Sequence, residues 1–319
     1  MTNFIIEAAE AGQRLDQYAA AKLEGWSRSQ LAKNIKAGII TVNGQIAKPH
    51  YSMKAGDSME VGELTLSQPT LRHQEPLDLT GQIEIIAETP DYLVINKPAG
   101  LIVHYPPDKP GPEVSGRNPS LVDWLMIHYP QVSQVGDDPS RPGIVHRLDK
   151  AVSGLMVIAL NHDSFDDLKR QFKKRLVEKH YETLVYGQVA KDEDRITFPL
   201  ARSTSGKKMA AKPVGSEEGK KAITEFKILQ RLINYTLLEV NLKTGRTHQI
   251  RAHMAAYGNP IVGDRVYSTA NTRRLFKKTG TQRIFLNSIF LSFTDLAGVR
   301  QSFSIPVHPE LQAFLAKAR

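Results

Sequence analysis

A turn-bounded segment in the middle of the chain constrains the fold more than any other stretch. A Pro-Gly turn at 142–143 opens the segment, and the apolar run at 155–159 has the length and composition of a buried β-strand. Between them lie His146, Arg147 and Asp149, which we predict to occupy a loop held by strands. Because binding and catalytic residues concentrate on such loops, this loop is the first candidate site. The alternative is a solvated Arg–Asp pair of little energetic weight.

The composition is that of a soluble globular protein with a polyanionic partner. Of 319 residues, 41% are hydrophobic and 24% are charged. No apolar run approaches the roughly 20 residues of a membrane span, and no signal-peptide pattern opens the chain, so we expect a cytoplasmic protein without membrane association. The net charge of +9 favours a partner such as nucleic acid. The absence of cysteine excludes disulfides, thiolate nucleophiles and sulfur-ligated zinc.

Charge and element patterns divide the chain into two units. Residues 1–65 predict two helices and then an Asn-Gly hairpin turn at 43–44, in a compact unit of zero net charge. Residues 66–82 lack apolar periodicity and contain Pro, Gly and Ser, which is typical of a linker. The larger unit, 83–319, holds the whole excess of +9. If nucleic acid is the partner, this unit carries much of the electrostatic attraction.

The larger unit contains many strand-like segments and few helical ones. An amphipathic helix with a basic outer face is predicted around 165–176, and the Gly-, Ser- and Lys-rich stretch 203–221 predicts a flexible cationic loop. Strands are predicted at 84–88, 92–96, 155–159, 179–186, 223–228, 235–242 and 284–293. Strands that follow one another through hairpins favour antiparallel pairing. We therefore predict an α+β fold built on a mixed, largely antiparallel sheet flanked by helices.

A second polar cluster lies at residues 244–253, where the chain leaves a strand through a glycine turn and enters a helix. We expect Arg251 about one turn into this helix, on the same side as Thr247. A metal site is the rival interpretation. However, His248 and His253 are five residues apart, which turns them about 140° from each other on a helix, so they cannot bind one ion together. Since nucleotide-binding glycine loops are also absent, we expect no metal and no cofactor.

The N-terminal unit carries several short motifs in order: Arg14-Leu15-Asp16, residues 27–29, Gly38, Val42-Asn43-Gly44 and Gly56-Asp57. With these motifs it resembles the small RNA-binding module named after ribosomal protein S4 and also seen in tyrosyl-tRNA synthetases. The resemblance implies a small α/β module in which four basic residues face RNA phosphates, namely Arg28, Lys33, Lys36 and Lys48. The alternative for these scattered cations is a solvated surface.

The larger unit carries a longer series of motifs. In chain order these are residues 97–104 (KPAGLIVH), 146–149 (HRLD), 153–154 (SG), Tyr181, 244–253 (TGRTHQIRAH) and 258–264 (GNPIVGD). With them the chain is similar to the RluA-like pseudouridine synthases, in particular to the ribosomal large-subunit enzymes of the RluC and RluD kind. Val152 departs from the usual threonine of that family, and from this we expect altered packing and retained activity.

The family resemblance implies roles for individual residues. Asp149 is expected to be the catalytic carboxylate, kept ionised by Arg251, while Tyr181 stacks on the base. Arg147 is expected to fill the space that the flipped nucleotide leaves. A further set is expected to line the pocket or contact RNA, namely His146, Lys97, His104, Ile250 and Arg246. Core packing and surface charge would explain this further set equally well.

The same resemblance implies an isomerase that converts specific uridines of RNA to pseudouridine without a cofactor. Large-subunit ribosomal RNA is the expected substrate, and a monomer is the expected state. The alternatives are a synthase that acts on transfer RNA and a non-catalytic RNA-binding factor in ribosome assembly. The carboxylate could attack ribose carbon 1 or remove the 2′ proton, and the residues do not decide between these routes.

Overall fold

The computed structural model describes residues 2–23, 26, 28–64, 83–105, 119–203, 206, 208–279 and 283–318. The predicted linker at 66–82 lies outside these residues. One hydrophobic core is formed within residues 4–64, and the largest core is formed within 83–305. Within the described ranges, no helix combines the length and the apolar character that crossing a bilayer requires.

The N-terminal module packs two helices against a small sheet. Its elements are β1 (Thr2–Ile5), α1 (Leu15–Lys22), α2 (Arg28–Lys36), β2 (Ile40–Val42) and β3 (Ser58–Val61). The strands pair antiparallel in the order β1-β3-β2. Leu15, Leu31 and Met59 are fully buried, so one apolar face of each helix closes the core over the sheet.

The Asn-Gly turn at 43–44 does not connect the two strands of a hairpin as the sequence predicts. Both residues have positive φ, at 53° and 72°, which such a tight turn needs. A single bridge, from Val42 to Gln45, follows the turn in the described chain, and β2 pairs instead with β3. The turn is therefore a local reversal, and β2 finds its partner further along the chain.

The larger unit is built on a nine-stranded sheet. Its strands, together with those of a separate hairpin, are β4 (Glu84–Glu88), β5 (Tyr92–Lys97), β6 (Ser153–Ala159), β7 (Glu178–Tyr186), β8 (Glu193–Ile196), β9 (Leu200–Arg202), β10 (Met209–Ala211), β11 (Thr224–Arg231), β12 (Tyr235–Leu242), β13 (Leu286–Thr294) and β14 (Arg300–Ser304). The order is β4-β5-β6-β13-β7-β12-β11-β8, with β14 on β13. The β6–β13 pairing is parallel and the others are antiparallel. The predicted α+β fold with a mixed, largely antiparallel sheet is confirmed.

Helices cover parts of this sheet. They are α3 (Leu121–His128), α4 (His162–Lys174), α5 (Gln249–Ala256), α6 (Ala270–Thr279) and α7 (Pro309–Lys317), with a short 3-10 helix at Pro130–Gln134. The start of α3 is fixed by Ser120 and Asp123, which form a reciprocal capping box. Helix α4 buries Phe165 and Leu168 and leaves its basic residues outside, as predicted.

Strand β6 anchors the candidate loop at the centre of the molecule. All seven of its residues are buried between β5 and β13. Gly154 has a φ of 119°, and an added Cβ would lie 2.2 Å from the backbone oxygen of Ser288 on β13. Only glycine therefore permits this close approach. The loop at 144–152 runs directly into this rigid strand, which fixes the position of its side chains.

Several elements differ from the sequence prediction. The β9–β10 hairpin lies within and beside the stretch predicted as a flexible loop. Strand β6 begins at Ser153, two residues before the apolar run at 155–159 that predicted it. Strands β8 and β14 and helices α6 and α7 are not predicted. The two strands are short and largely polar, so neither carries the apolar alternation that marks a strand.

Candidate active site

The candidate loop opens into a cavity of about 540 Å³, a size typical of ligand pockets. The walls come from the loop at 144–152, the end of α4, the start of β7 and the connection from β12 to α5. Among the described residues that line it, one is a carboxylate, Asp149, and eight are basic, namely Arg141, Arg147, Lys173, Arg175, Lys179, Lys243, Arg246 and Arg251. The cavity thus attracts anions and holds one ionisable acid.

Asp149 and Arg251 meet at this cavity although they are 102 residues apart in sequence. The Arg251 Nη1 donates a hydrogen bond of 3.0 Å to the Asp149 Oδ2. The Asp149 side chain is 17% exposed, so a substrate in the cavity can reach its carboxylate. The predicted proximity of the two residues is confirmed, and their catalytic roles stay a prediction.

Asp264 holds Arg251 from the other side, a contact that the sequence analysis does not predict. The Arg251 Nε and Nη2 donate to the two Asp264 carboxylate oxygens at 2.7 and 2.9 Å. Burial opposes the ionisation of both groups, but their mutual hydrogen bonds and charges outweigh it, so the pKa of Arg251 is raised and that of Asp264 is lowered. A fork-to-fork pair fixes the guanidinium plane and leaves Nη1 directed at Asp149. The signal for Asp264 was its place at the end of the matched motif at 258–264.

Helix α5 delivers Arg251 from a short, well-anchored connection. Gln249 fixes the start of the helix, because its Oε1 accepts from the Thr244 hydroxyl and its Nε2 donates to the Ile223 carbonyl. The helix begins at Gln249, so Arg251 lies in the first turn and Thr247 precedes the helix. The predicted helical placement of Thr247 beside Arg251 is therefore wrong, because the chain is still turning at that point.

Tyr181 lines the same cavity from β7. Its side chain is only 6% exposed, and its hydroxyl shares a hydrogen bond with Ser288 on β13. Burial is the main cause that raises the pKa of Tyr181, and the charge of Asp149 acts in the same direction. The hydroxyl therefore stays protonated at neutral pH. The ring stands beside the carboxylate, which is compatible with the predicted contact with the base.

His248 is a second residue near the carboxylate that the sequence analysis considered only as a metal ligand. It caps the start of α5 with a φ of 56°, a backbone conformation unusual for histidine. Its Nε2 lies 3.8 Å from the Asp149 Oδ2, and its Nδ1 lies 3.2 Å from the Tyr267 hydroxyl. Within the described residues, no group of three or more His, Cys, Asp or Glu side chains could hold a metal ion.

Lys97 is not an RNA contact, and that prediction is wrong. Its side chain is fully buried, and its Nζ donates to the carbonyls of Pro98, Leu101 and Lys150 at 2.7, 2.9 and 3.5 Å. Burial, and then the charge of Arg283, lower the pKa of Lys97 to about 7. The lysine ties the strand end of β5 to the residue that follows Asp149, so it supports the loop from behind.

His146 faces the cavity as a neutral ring. Its Nε2 accepts a hydrogen bond of 3.0 Å from the Val157 N–H, and its ring stacks on Phe172 at 4.6 Å. Burial, and then the charge of Lys179, lower the pKa of His146 to about 3. It cannot therefore serve as a cation for RNA phosphates at neutral pH.

The other predicted contacts all line the cavity. Arg147 is exposed at the mouth, and the Arg246 Nε donates to the Lys221 carbonyl at 3.3 Å. Ile250 is almost fully buried in the wall. The buried His104 Nδ1 has no hydrogen-bond partner in the described chain, and burial and Arg147 lower the pKa of His104 to about 4. Their contacts with RNA stay predictions.

The four predicted cations of the N-terminal module differ in their surroundings. Arg28 is paired with Asp16, with its Nε and Nη2 both 2.9 Å from the Oδ2. Lys33 lies 3.9 Å from Asp138 of the larger unit, while Lys36 and Lys48 are exposed. The pairing of Arg28 reduces the charge that it can offer to a phosphate, and the RNA contacts of all four stay predictions.

Comparisons with known proteins agree with this architecture. The profile of the RNA pseudouridylate synthase family matches residues 91–256, and that of the S4 domain matches 13–58. An uncharacterized RNA pseudouridine synthase of Aquifex aeolicus is 40% identical over 83% of this chain and 79% of its own. Ribosomal large subunit pseudouridine synthase D of Pseudomonas aeruginosa is 37% identical, with coverages of 84% and 79%. The structure of human RNA pseudouridylate synthase domain containing 4 has the same fold, with a TM-score of 0.58 at 24% identity over 74% of this chain and 93% of its own.

The mixed sheet and its cation-lined site define an enzyme that acts on RNA. The S4 domain at the N-terminus is a second RNA-binding unit. The chain belongs to the RNA pseudouridylate synthase family and isomerises uridine in RNA to pseudouridine. The predicted family and reaction are thus confirmed.

Proposed function

We propose that the substrate is large-subunit ribosomal RNA and that Asp149 is the catalytic carboxylate. The relatives from Pasteurella multocida and Pseudomonas aeruginosa, at 36% and 37% identity, are named for the ribosomal large subunit, which supports the choice of RNA. The choice of Asp149 rests on its place in the site. It is the only carboxylate among the described residues that line the cavity, and it is linked through Arg251 to Asp264.

The chemistry needs an ionised carboxylate beside the sugar. In the nucleophilic route, an Asp149 oxygen bonds to ribose carbon 1 as the bond to base nitrogen 1 breaks, and carbon 5 of the rotated base displaces the carboxylate. In the elimination route, Asp149 removes the proton on ribose carbon 2 as the bond from carbon 1 to base nitrogen 1 breaks. After the base has turned, carbon 5 adds to carbon 1 and the protonated Asp149 returns the proton to carbon 2. In both routes, carbon 5 loses a proton and nitrogen 1 gains one. Arg251 serves either route because its Nη1 donates to the Asp149 carboxylate at 3.0 Å and so holds it in position.

The cavity must receive a uridine that has left its base stack, at a cost of a few kcal/mol. Arg147 is an exposed basic residue of the loop that lines the cavity, two residues before Asp149, so we assign it to the space that the nucleotide leaves. Tyr181, at the wall beside Asp149, is assigned to the base. In both cases the position of the side chain in the cavity supports the proposal.

We assign the regions of the chain accordingly. Residues 1–65 form the RNA-binding module, 66–82 the linker and 83–319 the catalytic domain, which the two separate cores support. The protein acts as a monomer in the cytoplasm, a proposal that fits a soluble enzyme acting on ribosomal RNA.

Site mapping on three RNAs tests this proposal. Large-subunit rRNA, small-subunit rRNA and a tRNA pool, all transcribed without modification, are incubated with the wild type and with Asp149→Asn. We expect pseudouridine at discrete positions of large-subunit RNA with the wild type and none with the variant. Product in tRNA alone would refute the rRNA assignment. Equal product from both proteins would remove Asp149 from the reaction, and no product in any RNA would favour the assembly-factor alternative.

A further inference from the structure

Lys179 presents an ammonium group to the cavity without a counter-charge. It stands near the start of β7 and lines the cavity. Within the described residues it forms no ion pair and no hydrogen bond, and its nearest recorded partner is the Phe172 ring, whose centroid lies 5.0 Å from Nζ. Burial alone lowers the pKa of Lys179 to about 8. A charge removed from water and left unpaired is costly, so this lysine is poised for an anion.

The neighbours of Lys179 leave an anionic ligand as the natural partner. His146, which stacks on the same Phe172 ring, is neutral. The described carboxylate of the cavity, Asp149, is already paired with Arg251. Lys173 and Arg175 flank Lys179 on the same wall, are exposed, and form no ion pair in the described chain. Three cations on one wall, none of them balanced by an acid, make a site for an anion.

The spacing of Lys179 and Tyr181 along β7 indicates which part of the nucleotide would reach Lys179. Lys179 and Tyr181 are two residues apart, so their side chains point to the same face of the strand and their backbones are about 6.6 Å apart. That separation is comparable to the distance between a base and its own phosphate. A nucleotide whose base meets Tyr181 would therefore bring a phosphodiester to the ammonium of Lys179.

We propose that Lys179, with Lys173 and Arg175, forms a phosphate-binding subsite for the RNA strand beside the uridine that enters the cavity. The inference rests on the proposed placement of the uridine at Asp149 and Tyr181. Lysine suits this task because its ammonium is a compact point charge with three donors that can follow a phosphate oxygen. A neutral uracil oxygen would leave the buried charge unbalanced.

The salt dependence of RNA binding tests the subsite separately from catalysis. All proteins carry Asp149→Asn, so the RNA stays unreacted, and the probe is unmodified large-subunit rRNA. Adding Lys179→Met should weaken binding and reduce the slope of log affinity against log salt by about 0.7 to 0.9, the contribution of one phosphate contact. Lys179→Arg should keep the slope. Lys317→Met, which removes the same charge from an exposed position on α7, should leave affinity and slope unchanged.

An unchanged slope in Lys179→Met would overturn the inference, and so would an equal loss of slope in Lys317→Met. If the methionine variant does not fold, as judged by circular dichroism, Lys179→Gln takes its place with the same expected slope. Wild-type turnover on the same RNA is measured in parallel. Absence of product together with a reduced slope would refute the rRNA assignment and retain the phosphate subsite.

Replacing one charged phosphodiester of the RNA by a neutral linkage shows which phosphate Lys179 contacts. Short oligouridylates carry one methylphosphonate at successive positions, and each is bound to the Asp149→Asn protein with and without Lys179→Met. At one position the methylphosphonate should weaken binding to the parent and have little further effect on the methionine variant, since both changes remove the same contact. Additive effects at every position would contradict a phosphate contact of Lys179.

Discussion

Asp264 holds Arg251 more firmly than Asp149 does. It makes two short hydrogen bonds to the guanidinium and is fully buried, whereas Asp149 makes one bond and is partly exposed. This difference leaves the Asp149 carboxylate accessible to a substrate while its arginine partner stays in place. A buried ion pair of this kind fixes the position of the guanidinium, whereas its net contribution to the free energy of unfolding is often small.

Asp264→Asn is expected to loosen Arg251, because the buried guanidinium then keeps only its single ion-pair contact with Asp149. The free energy of unfolding should fall by about 3 to 5 kcal/mol, and the single-turnover rate should fall with it. Urea unfolding and rapid-quench assays measure the two effects. The control is Asp192→Asn, which breaks an exposed pair with Arg231 and should cost less than about 1 kcal/mol. Losses as small as those of the control would show that Asp264 does not position Arg251.

The neutral state of His146 predicts a pH-dependent stability. Its pKa is about 3 in the folded protein, below the ordinary value of about 6.5. Between these values the unfolded chain binds a proton that the folded chain does not, so stability present above about pH 6.5 is lost as the pH falls. The contribution is up to about 1.4 kcal/mol per pH unit.

His146→Gln keeps an acceptor for the Val157 N–H and removes the titrating ring. The variant should lose less stability than the wild type between about pH 6.5 and about pH 5, as measured by urea midpoints. The same pH dependence in both proteins would mean that His146 is protonated in the fold.

For single residues, the sequence predicts the chemical role of a side chain better than it predicts whether that side chain is buried. The pairing of Asp149 with Arg251 was predicted from the resemblance to the synthase family, which supplied the chemistry of both residues. The burial of Lys97 could not be predicted, because lysine is rarely buried and its partners are backbone carbonyls that leave no trace in the sequence. The contact of Asp264 with Arg251 could not be predicted for a related reason. Asp264 lies in a loop, and a loop has no periodicity that shows which way a side chain points.

The parallel contact between β6 and β13 is the element on which the site depends. It joins two strands that are separated by more than 120 residues. One strand follows the loop that contains Asp149, and the other carries Ser288, the hydrogen-bond partner of Tyr181. Long-range parallel pairing of this kind cannot be deduced from local patterns. The strands themselves were predicted because both are strongly apolar, but their adjacency was not.

Gly154→Ala tests this contact. The added methyl would clash with the Ser288 backbone at 2.2 Å, and the positive φ of 119° adds strain, so we expect a large loss of stability or a failure to fold. Gly298→Ala is the matched control. Its φ is also positive, at 80°, but nothing lies within 4 Å of the added Cβ, so the cost should be about 1 to 2 kcal/mol of backbone strain. Similar losses for both variants would show that the close approach at Gly154 is not a constraint.

The whole molecule joins a nearly neutral RNA-binding module to a strongly basic catalytic unit. The sequence predicted this division from charge and composition, and the S4 and synthase profiles match separate parts of the chain. The two cores share no residue. The relative placement of the units was beyond sequence reasoning, because Lys33 and the buried Asp138, which lie 3.9 Å apart across the two units, belong to no sequence pattern that pairs them.

A chain limited to residues 83–319 should therefore fold and keep its chemistry. At saturating RNA its single-turnover rate should match that of the full chain, while the RNA concentration needed for half of that rate should rise. The measurement is rate against concentration for both proteins on large-subunit rRNA. A lower rate at saturation would indicate that the N-terminal module contributes to the catalytic site itself.

The central claim is that the carboxylate of Asp149, held by Arg251, carries out the isomerisation. The most direct measurement is tritium release from RNA labelled at uridine carbon 5, under single turnover with saturating enzyme. The account predicts that Asp149→Asn slows release by about 10²-fold to 10⁴-fold or more while RNA affinity remains within a few-fold of the wild type. A variant that releases tritium at the wild-type rate would contradict it.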